Sequence, residues 1–168
     1  MEKIVRGKCW KFPDNFPTDL ITPKERLSDP FPEMAKHVFE TFDPQIAKGI
    51  KRHDILVGGH LFGCSSSRVA AVKVLAFIGI GAVVAESIAR LFYRNCISLG
   101  IPAMECKGIA EMVSTGDELE VDIGAGVVRN LTTGKSILAE PVPEFALKIM
   151  EQGGIVPFMQ KRGLLELD

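Results

Sequence analysis

Three short apolar runs alternate with two longer segments of helical periodicity in the middle of the chain. The runs at 55–57, 82–86 and 101–105 lack polar alternation, which is typical of strands buried on both faces. Between them, residues 67–78 and 87–99 place apolar side chains at helical spacing. The order strand, helix, strand, helix, strand predicts a parallel α/β unit with right-handed crossovers.

The segments on either side of this unit are more mixed in pattern. Before it we predict a strand, an extended piece, a loop, a helix and a turn-rich link, at 4–12, 18–22, 24–32, 33–42 and 44–52. After it we predict three further β-strands and two helices, at 117–123, 127–131, 136–139, 143–152 and 155–162. No repeat, low-complexity tract or linker divides the sequence. Residues 1–168 are therefore predicted to form a single α/β domain.

Two local details can be checked against the structure. The helix at 87–99 is expected to begin at a Ser87 cap and to end at Gly100. In the helix at 143–152, we expect Phe145, Ile149 and Met150 to face inward.

Composition excludes some partners and leaves others open. With 20 Lys and Arg against 21 Asp and Glu, the net charge is -1, which gives no electrostatic basis for binding nucleic acid or a membrane surface. No apolar run reaches the roughly 20 residues of a membrane span, and no signal-like segment follows the first residues, so we expect a cytoplasmic protein. The hydrophobic fraction of 46% leaves room for a subunit interface, including self-association of the isolated chain.

The four cysteines do not resemble a metal site. Cys9, Cys64, Cys96 and Cys106 show no C-x-x-C spacing and no histidine pairing. We therefore expect reduced thiols and no metal ligand from this chain alone.

A glycine- and serine-rich turn lies between the first buried run and the helix that follows it. Residues 58–68 read GGHLFGCSSSR. Such a strand–turn–helix collects backbone N–H groups, hydroxyls and a fixed positive charge, which suits a carboxylate or a phosphate. A plain serine cap with a solvated Arg68 is equally compatible with this pattern. Neither the G-x-S-x-G elbow nor the Gly-Lys-Ser/Thr phosphate loop is present.

Several stretches of the sequence resemble one protein family. Residues 11–19, KFPDNFPTD, resemble the opening motif of the small subunits of 3-isopropylmalate dehydratase and their aconitase-family relatives. Residues 62–68, FGCSSSR, are similar to the family's FGCGSSRE turn, and residues 85–95, AESIARLFYRN, to its AESFARIFYRN segment. The tail at 143–155 is similar as well. Because the match runs in order over nearly the whole chain, the sequence is identified as a member of this family.

The resemblance implies a fold, a partner and a reaction. The fold would be the swivelling β/β/α domain of the aconitase superfamily, present as a separate small subunit. The chain would belong to a hydro-lyase that is active only with a large subunit, and that large subunit would hold a 4Fe–4S cluster. The implied substrate is a small hydroxy acid with two or three carboxylates. The first candidate reaction isomerises 2- and 3-isopropylmalate by dehydration and rehydration, in leucine biosynthesis.

Carried onto this sequence, the resemblance also implies the site residues. Ser66 would be the base that removes a proton from carbon, Ser67 a substrate ligand and Arg68 the clamp for a substrate carboxylate. The predicted substrate-binding set is completed by Ser65, Thr18, Asp19 and Arg26.

Three departures from the family pattern bear on substrate and activity. Ser65 stands where the family has glycine, and at a positive φ it would cost on the order of 1 kcal/mol. Val69 and Ala70 replace a Glu-His pair. Arg26 replaces an aromatic residue in a loop that helps the family choose its substrate's side group, which indicates a more polar or differently shaped group.

Other functions remain open on these residues. The chain could serve a paralogous hydro-lyase of homoaconitase, methylmalate/citraconate or dimethylmalate type. It could be a non-catalytic or regulatory subunit that kept the fold while the serine turn changed. It could also be a carboxylate-binding module that needs no partner.

Overall fold

The computed structural model describes residues 4–66 and 68–165. The strands are β1 (Ile4–Lys11), β2 (Ile55–Gly58), β3 (Ala82–Ala85), β4 (Ala103–Glu105), β5 (Glu118–Asp122), β6 (Val127–Asn130) and β7 (Ser136–Leu138). The helices are α1 (Thr18–Ile21), α2 (Phe31–Met34), α3 (Pro44–Gly49), α4 (Val69–Ile78), α5 (Arg90–Ser98), α6 (Ile109–Met112), α7 (Glu144–Glu151) and α8 (Ile155–Lys161). Short 3-10 turns occupy Lys24–Arg26 and Ala35–His37.

The strands form one seven-stranded sheet in the order β4-β3-β2-β1-β5-β6-β7. From β1 to β4 all neighbouring pairs are parallel, whereas β1 pairs with β5 in antiparallel fashion, as do β5 with β6 and β6 with β7. The sheet thus has a parallel half and an antiparallel half that meet at β1. The predicted α/β unit is confirmed, and the additional strands extend it on the β1 side.

Both faces of the parallel half are covered. Strand β2 sends Leu56 into one apolar cluster and Ile55 and Val57 into another. The first cluster includes side chains from α1 to α5, and the second includes side chains from α6 and α7. Every residue of β2 and β3 is buried, which explains why these strands show no polar alternation in the sequence.

Phenylalanine rings of the first cluster lie beneath the glycine- and serine-rich turn. The ring of Phe62 stacks on Phe16 with a centroid separation of 5.6 Å and meets Phe92 edge-on at 5.5 Å. Phe12 contacts Phe16 at 4.8 Å and Phe39 at 4.7 Å. All five rings are essentially inaccessible to solvent. The turn is therefore anchored from below by close aromatic packing.

The predictions for residues 18–52 are largely wrong. The segment predicted as extended begins with helix α1, and the helix predicted over 33–42 is broken into α2 and a 3-10 turn. Phe39 has a φ of 60°, and its N–H donates to the Ile21 carbonyl oxygen at 3.0 Å. Burial of this ring in the aromatic cluster outweighs the tendency of the local sequence to form a helix. The predicted turn-rich link contains α3, which the Asp43 carboxylate caps by accepting from the Gln45 N–H.

Smaller corrections concern the later helices. Helix α5 begins at Arg90, and Ser87 does not cap it. On α7, Ile149 and Met150 are buried as predicted, but Phe145 is 61% exposed. The short helix α6 was not predicted. No helix within the described ranges is long and apolar enough to cross a membrane.

Candidate active site

The candidate site lies at the carboxyl ends of β1, β2 and β3, where three loops meet. The glycine- and serine-rich turn after β2 is bridged to the loop after β1 between Cys64 and Pro17, and to the loop after β3 between Phe62 and Ile88. The Thr18 N–H donates to the Cys64 carbonyl oxygen at 3.0 Å, and the Phe62 N–H donates to the Ser87 carbonyl oxygen at 3.0 Å. The turn is thus held from both sides by backbone hydrogen bonds.

Side chains at the strand ends add further links between these loops. Asp14 Oδ1 accepts from the His60 N–H at 2.7 Å, and Ser87 Oγ accepts from the Leu61 N–H at 2.8 Å. Glu105 Oε1 accepts from the Ile88 N–H at 2.7 Å. The Glu86 carboxylate accepts from the N–H groups of Gly108 and Ala110 at 2.8 and 2.9 Å, at the start of α6.

These linking roles of Asp14, Glu86, Ser87 and Glu105 were not predicted from the sequence. The sequence did contain a signal for these roles, because polar residues end the otherwise apolar strands or follow directly after them. Since carboxyl ends of parallel strands share one edge of the sheet, such residues are expected to meet there.

The backbone of the turn takes conformations that only some residues tolerate. Gly63 has a φ of 78°, and a Cβ on this residue would collide with the Phe92 ring. Ser65 has a φ of 74° although it is not glycine. The sequence predicted a cost for serine at this position if its φ were positive, and that condition is fulfilled.

Ser66 sits at the wall of an open pocket of about 420 Å³. The pocket is lined by Gly63, Cys64, Ser65, Ser66, Ala89, Arg90 and Leu91. Ser66 Oγ lies 2.8 Å from Thr18 Oγ1 and accepts from the Arg68 N–H at 3.3 Å. The side chain is half-buried, so the hydroxyl is held in place while the pocket stays accessible.

Arg68 precedes α4 directly and occupies its N-cap position without a side-chain cap bond. Its Nη2 lies 3.0 Å from Asp19 Oδ1, and Lys24 Nζ lies 3.7 Å from Asp19 Oδ2. Among the described residues, the buried Nη1 of Arg68 has no hydrogen-bond partner. A solvated arginine is therefore not what the structure shows, since the Arg68 side chain is 19% exposed and tied to an acidic residue.

The structure unites most, but not all, of the predicted site residues. Thr18, Asp19, Ser65, Ser66 and Arg68 lie together at the turn. Ser67 falls outside the described residues. Arg26 lies on the 3-10 turn after α1, where its ion-pair partners among the described residues are Asp29 at 3.4 Å and Glu40 at 4.0 Å.

The thiols do not form a metal-binding group. Burial raises the pKa of Cys9 to about 12 and that of Cys106 to about 11, and it also raises the pKa of Cys96. Within residues 4–66 and 68–165, no group of three or more histidine, cysteine, aspartate or glutamate side chains could hold a metal ion.

Sequence comparison finds relatives over the whole length of the chain. The family described as Aconitase C-terminal domain matches residues 33–108. The isopropylmalate/citramalate isomerase small subunit of Methanocaldococcus jannaschii is 47% identical over 163 residues, covering 96% of this chain and 97% of the relative. The 3-isopropylmalate dehydratase small subunit 1 of Thermotoga maritima is 43% identical over 162 residues, covering 95% and 97%.

Comparison with solved structures agrees with the sequence relatives. A crystal structure of 3-isopropylmalate dehydratase from Methanocaldococcus jannaschii superposes with a TM-score of 0.90 and 34% sequence identity. The match covers 96% of each chain. The predicted fold class is confirmed by this likeness.

Proposed function

We propose that this chain, which belongs to the family of 3-isopropylmalate dehydratase small subunits, is the small subunit of a heteromeric 4Fe–4S hydro-lyase. The proposed reaction interconverts 2- and 3-isopropylmalate by removing and re-adding water. The proposed partner is the large subunit, with which this chain would complete the active site.

The observation that carries the proposal is the placement of Ser66. Its hydroxyl lies at the wall of the pocket, next to the Arg68 N–H and close to the N-terminal end of α4. A serine alkoxide is unstable in water, but backbone N–H groups and a neighbouring guanidinium favour the negative charge. Ser66 is thereby suited to remove a proton from the carbon next to a substrate carboxylate.

Arg68 is suited to bind a substrate carboxylate. Its Nη2 is paired with Asp19 and its Nη1 is buried, while 19% of the side chain remains exposed. Because a planar guanidinium can serve two acceptors at once, Arg68 can keep its anchor and still bind an incoming anion. We assign Ser65, Ser67, Asp19 and Arg26 to substrate binding as a part of the same proposal. Thr18 was predicted with them, but it is only 1% exposed and contacts Ser66 instead.

The iron–sulfur cluster is assigned to the partner. When bound there, the cluster would act as a Lewis acid toward the substrate hydroxyl. In this chain the thiols of Cys9, Cys96 and Cys106 are buried, whereas Cys64 is half-buried and lines the pocket at the turn.

The proposal is tested with a Ser66→Ala variant assembled with the large subunit under anaerobic conditions. We expect kcat to fall by roughly three orders of magnitude, the range of a lost general base, with a smaller change in KM. Ser136→Ala is the matched control, because Ser136 is an exposed serine on β7, the edge strand of the antiparallel half, separated from β2 by β1, β5 and β6. Undiminished turnover by Ser66→Ala would overturn the catalytic role.

A second substrate is favoured by a specific observation. The relative at 47% identity is named for both isopropylmalate and citramalate. We therefore propose that a screen of 2-substituted malates will include turnover of citramalate. Turnover of isopropylmalate alone would restrict the substrate range, and lack of turnover for every malate and citrate analogue would support a non-catalytic subunit.

A further inference from the structure

Among the described residues, the Ser66 hydroxyl has two hydrogen-bonding contacts of unequal length. Ser66 Oγ lies 2.8 Å from Thr18 Oγ1, a normal distance for a bond between hydroxyls. The bond from the Arg68 N–H is 3.3 Å long, at the weak end of the range for N–H donors. Thr18 is therefore the closer of the two groups that form hydrogen bonds with this oxygen.

Thr18 is held rigidly behind Ser66. Its side chain is only 1% exposed, and its N–H donates to the Cys64 carbonyl oxygen. It starts helix α1, where its own carbonyl oxygen accepts from the Thr22 N–H at 3.2 Å. A β-branched side chain in such a setting has few accessible rotamers. The hydroxyl is consequently oriented before any substrate enters the pocket.

We propose that Thr18 is a positioning residue that donates its hydroxyl hydrogen to Ser66 Oγ when Ser66 acts as the base. An alkoxide at Ser66 has no hydrogen to donate, so the only O–H in this pair belongs to Thr18. When the alkoxide takes the substrate proton, the C–H bond breaks, an O–H bond forms on Ser66, and the C–H electron pair enters the new double bond as the hydroxyl group leaves. Thr18 makes and breaks no covalent bond in this step. The inference rests on the proposed function of Ser66.

The expected effect follows from the charge on the acceptor. A hydrogen bond to an ionised oxygen is roughly twice as strong as one between neutral groups. Removal of a single donor to a catalytic oxyanion lowers kcat by about 100- to 1000-fold in favourable cases. Because the Arg68 N–H remains, we expect a loss toward or below the lower end of that range.

The test compares three variants in the complex with the large subunit. Thr18→Val keeps the shape of the side chain and removes the hydroxyl, and Thr18→Ser restores the hydroxyl. Thr22→Val is the matched control, since Thr22 ends the same helix, is 0% exposed, and its Oγ1 has no hydrogen-bond partner among the described residues.

For Thr18→Val we expect kcat to fall about 10- to 100-fold, with KM changed far less. The rising limb of the pH–rate profile should move to higher pH, because the lost donor raises the pKa of Ser66. Thr18→Ser should recover most of kcat, and Thr22→Val should match the unaltered protein. The charged and titratable groups around Ser66 are Arg68, Asp19, Lys24, Arg90 and Cys64, and all of them are retained in these variants.

Urea unfolding of the isolated chain separates positioning from simple structural support. If Thr18 has a merely structural role, Thr18→Val will lower the free energy of unfolding and leave the pH–rate profile unchanged. That result would overturn the inference. A fully active Thr18→Val with an inactive Ser66→Ala would overturn the inference alone. An active Ser66→Ala would instead overturn the proposed function on which the inference rests.

Discussion

The carboxyl edge of the parallel half and the antiparallel half of the sheet satisfy their polar groups differently. In the antiparallel half, the buried Asn130 side chain makes four hydrogen bonds, and Glu120 lies between Arg6 and Arg129. At the carboxyl edge, the Arg68 Nη1 atom is buried without a hydrogen-bond partner among the described residues.

Backbone strain is distributed in the same way. Among the described residues, the non-glycine residues with positive φ are Asn15, Phe39, His53, Leu61 and Ser65, and none of them lies in the antiparallel half. Three of them belong to the loops that form the candidate site. The antiparallel half is therefore a scaffold whose buried polar side chains are hydrogen-bonded. The edge carrying Ser66 and Arg68 instead has a buried polar atom without a partner among the described residues and strained backbone, as functional sites commonly do.

Asn130→Ala should give the largest change in stability with no change in chemistry. The Asn130 amide donates to the Met112 carbonyl oxygen and to Asp117, and its oxygen accepts from the N–H groups of Thr132 and Thr133. Losing these bonds from a side chain that is 1% exposed should lower the free energy of unfolding by about 2–4 kcal/mol. Urea denaturation of the isolated chain measures this, and kcat of the assembled enzyme should be unchanged.

Thr133→Ala is the control in the same turn. The Thr133 side chain is exposed, and its hydroxyl accepts a long bond of 3.4 Å from the Lys135 N–H. Its effect should stay within about 0.5 kcal/mol. Equal losses for the two variants, or a large loss of kcat in Asn130→Ala, would break the contrast between scaffold and site.

Ser65→Gly should stabilise the protein by about 1 kcal/mol, because glycine adopts a φ of 74° without the clash of a Cβ. The gain should appear as a higher urea midpoint. Ser65→Ala keeps the Cβ and should show no gain. A gain in both variants would place the cost in the hydroxyl rather than in the backbone, and it would weaken the description of this edge as strained.

The parallel half could be predicted from the sequence because its signals are local. Strands β2 and β3 are continuous apolar runs, and the helix–strand alternation fixes their order along the chain. Residues 18–52 could not be predicted in this way. The conformation of Phe39 depends on Phe12, which is distant in sequence, and no local pattern records that contact.

The candidate site shows the same division. The turn with Ser66 and Arg68 was found because its residue types and its family resemblance both lie in one short stretch. The pairing of Thr18 with Ser66 and of Asp19 with Arg68 joins segments almost 50 residues apart, so it required the fold. Arg26 was predicted from the resemblance of its loop to the family's loop, and its role toward substrate stays a prediction.

The smallest predicted effect concerns pH and the antiparallel half. Hydrogen bonds from Arg6 and then Arg129 hold the pKa of the Glu120 carboxyl below its ordinary value of 4.5. The folded state therefore binds fewer protons than the unfolded state in mildly acidic solution. The stability contributed by Glu120 is fully present above the ordinary pKa and is lost as the pH falls through the lowered one. Arg6 is 70% exposed, so solvent screens the pair and keeps the effect small.

Glu120→Gln should lower Tm more at neutral pH than in acid well below the ordinary pKa of the carboxyl, as measured by thermal unfolding at both pH values. An equal Tm difference at both pH values would show that the carboxylate charge does not stabilise this half of the sheet.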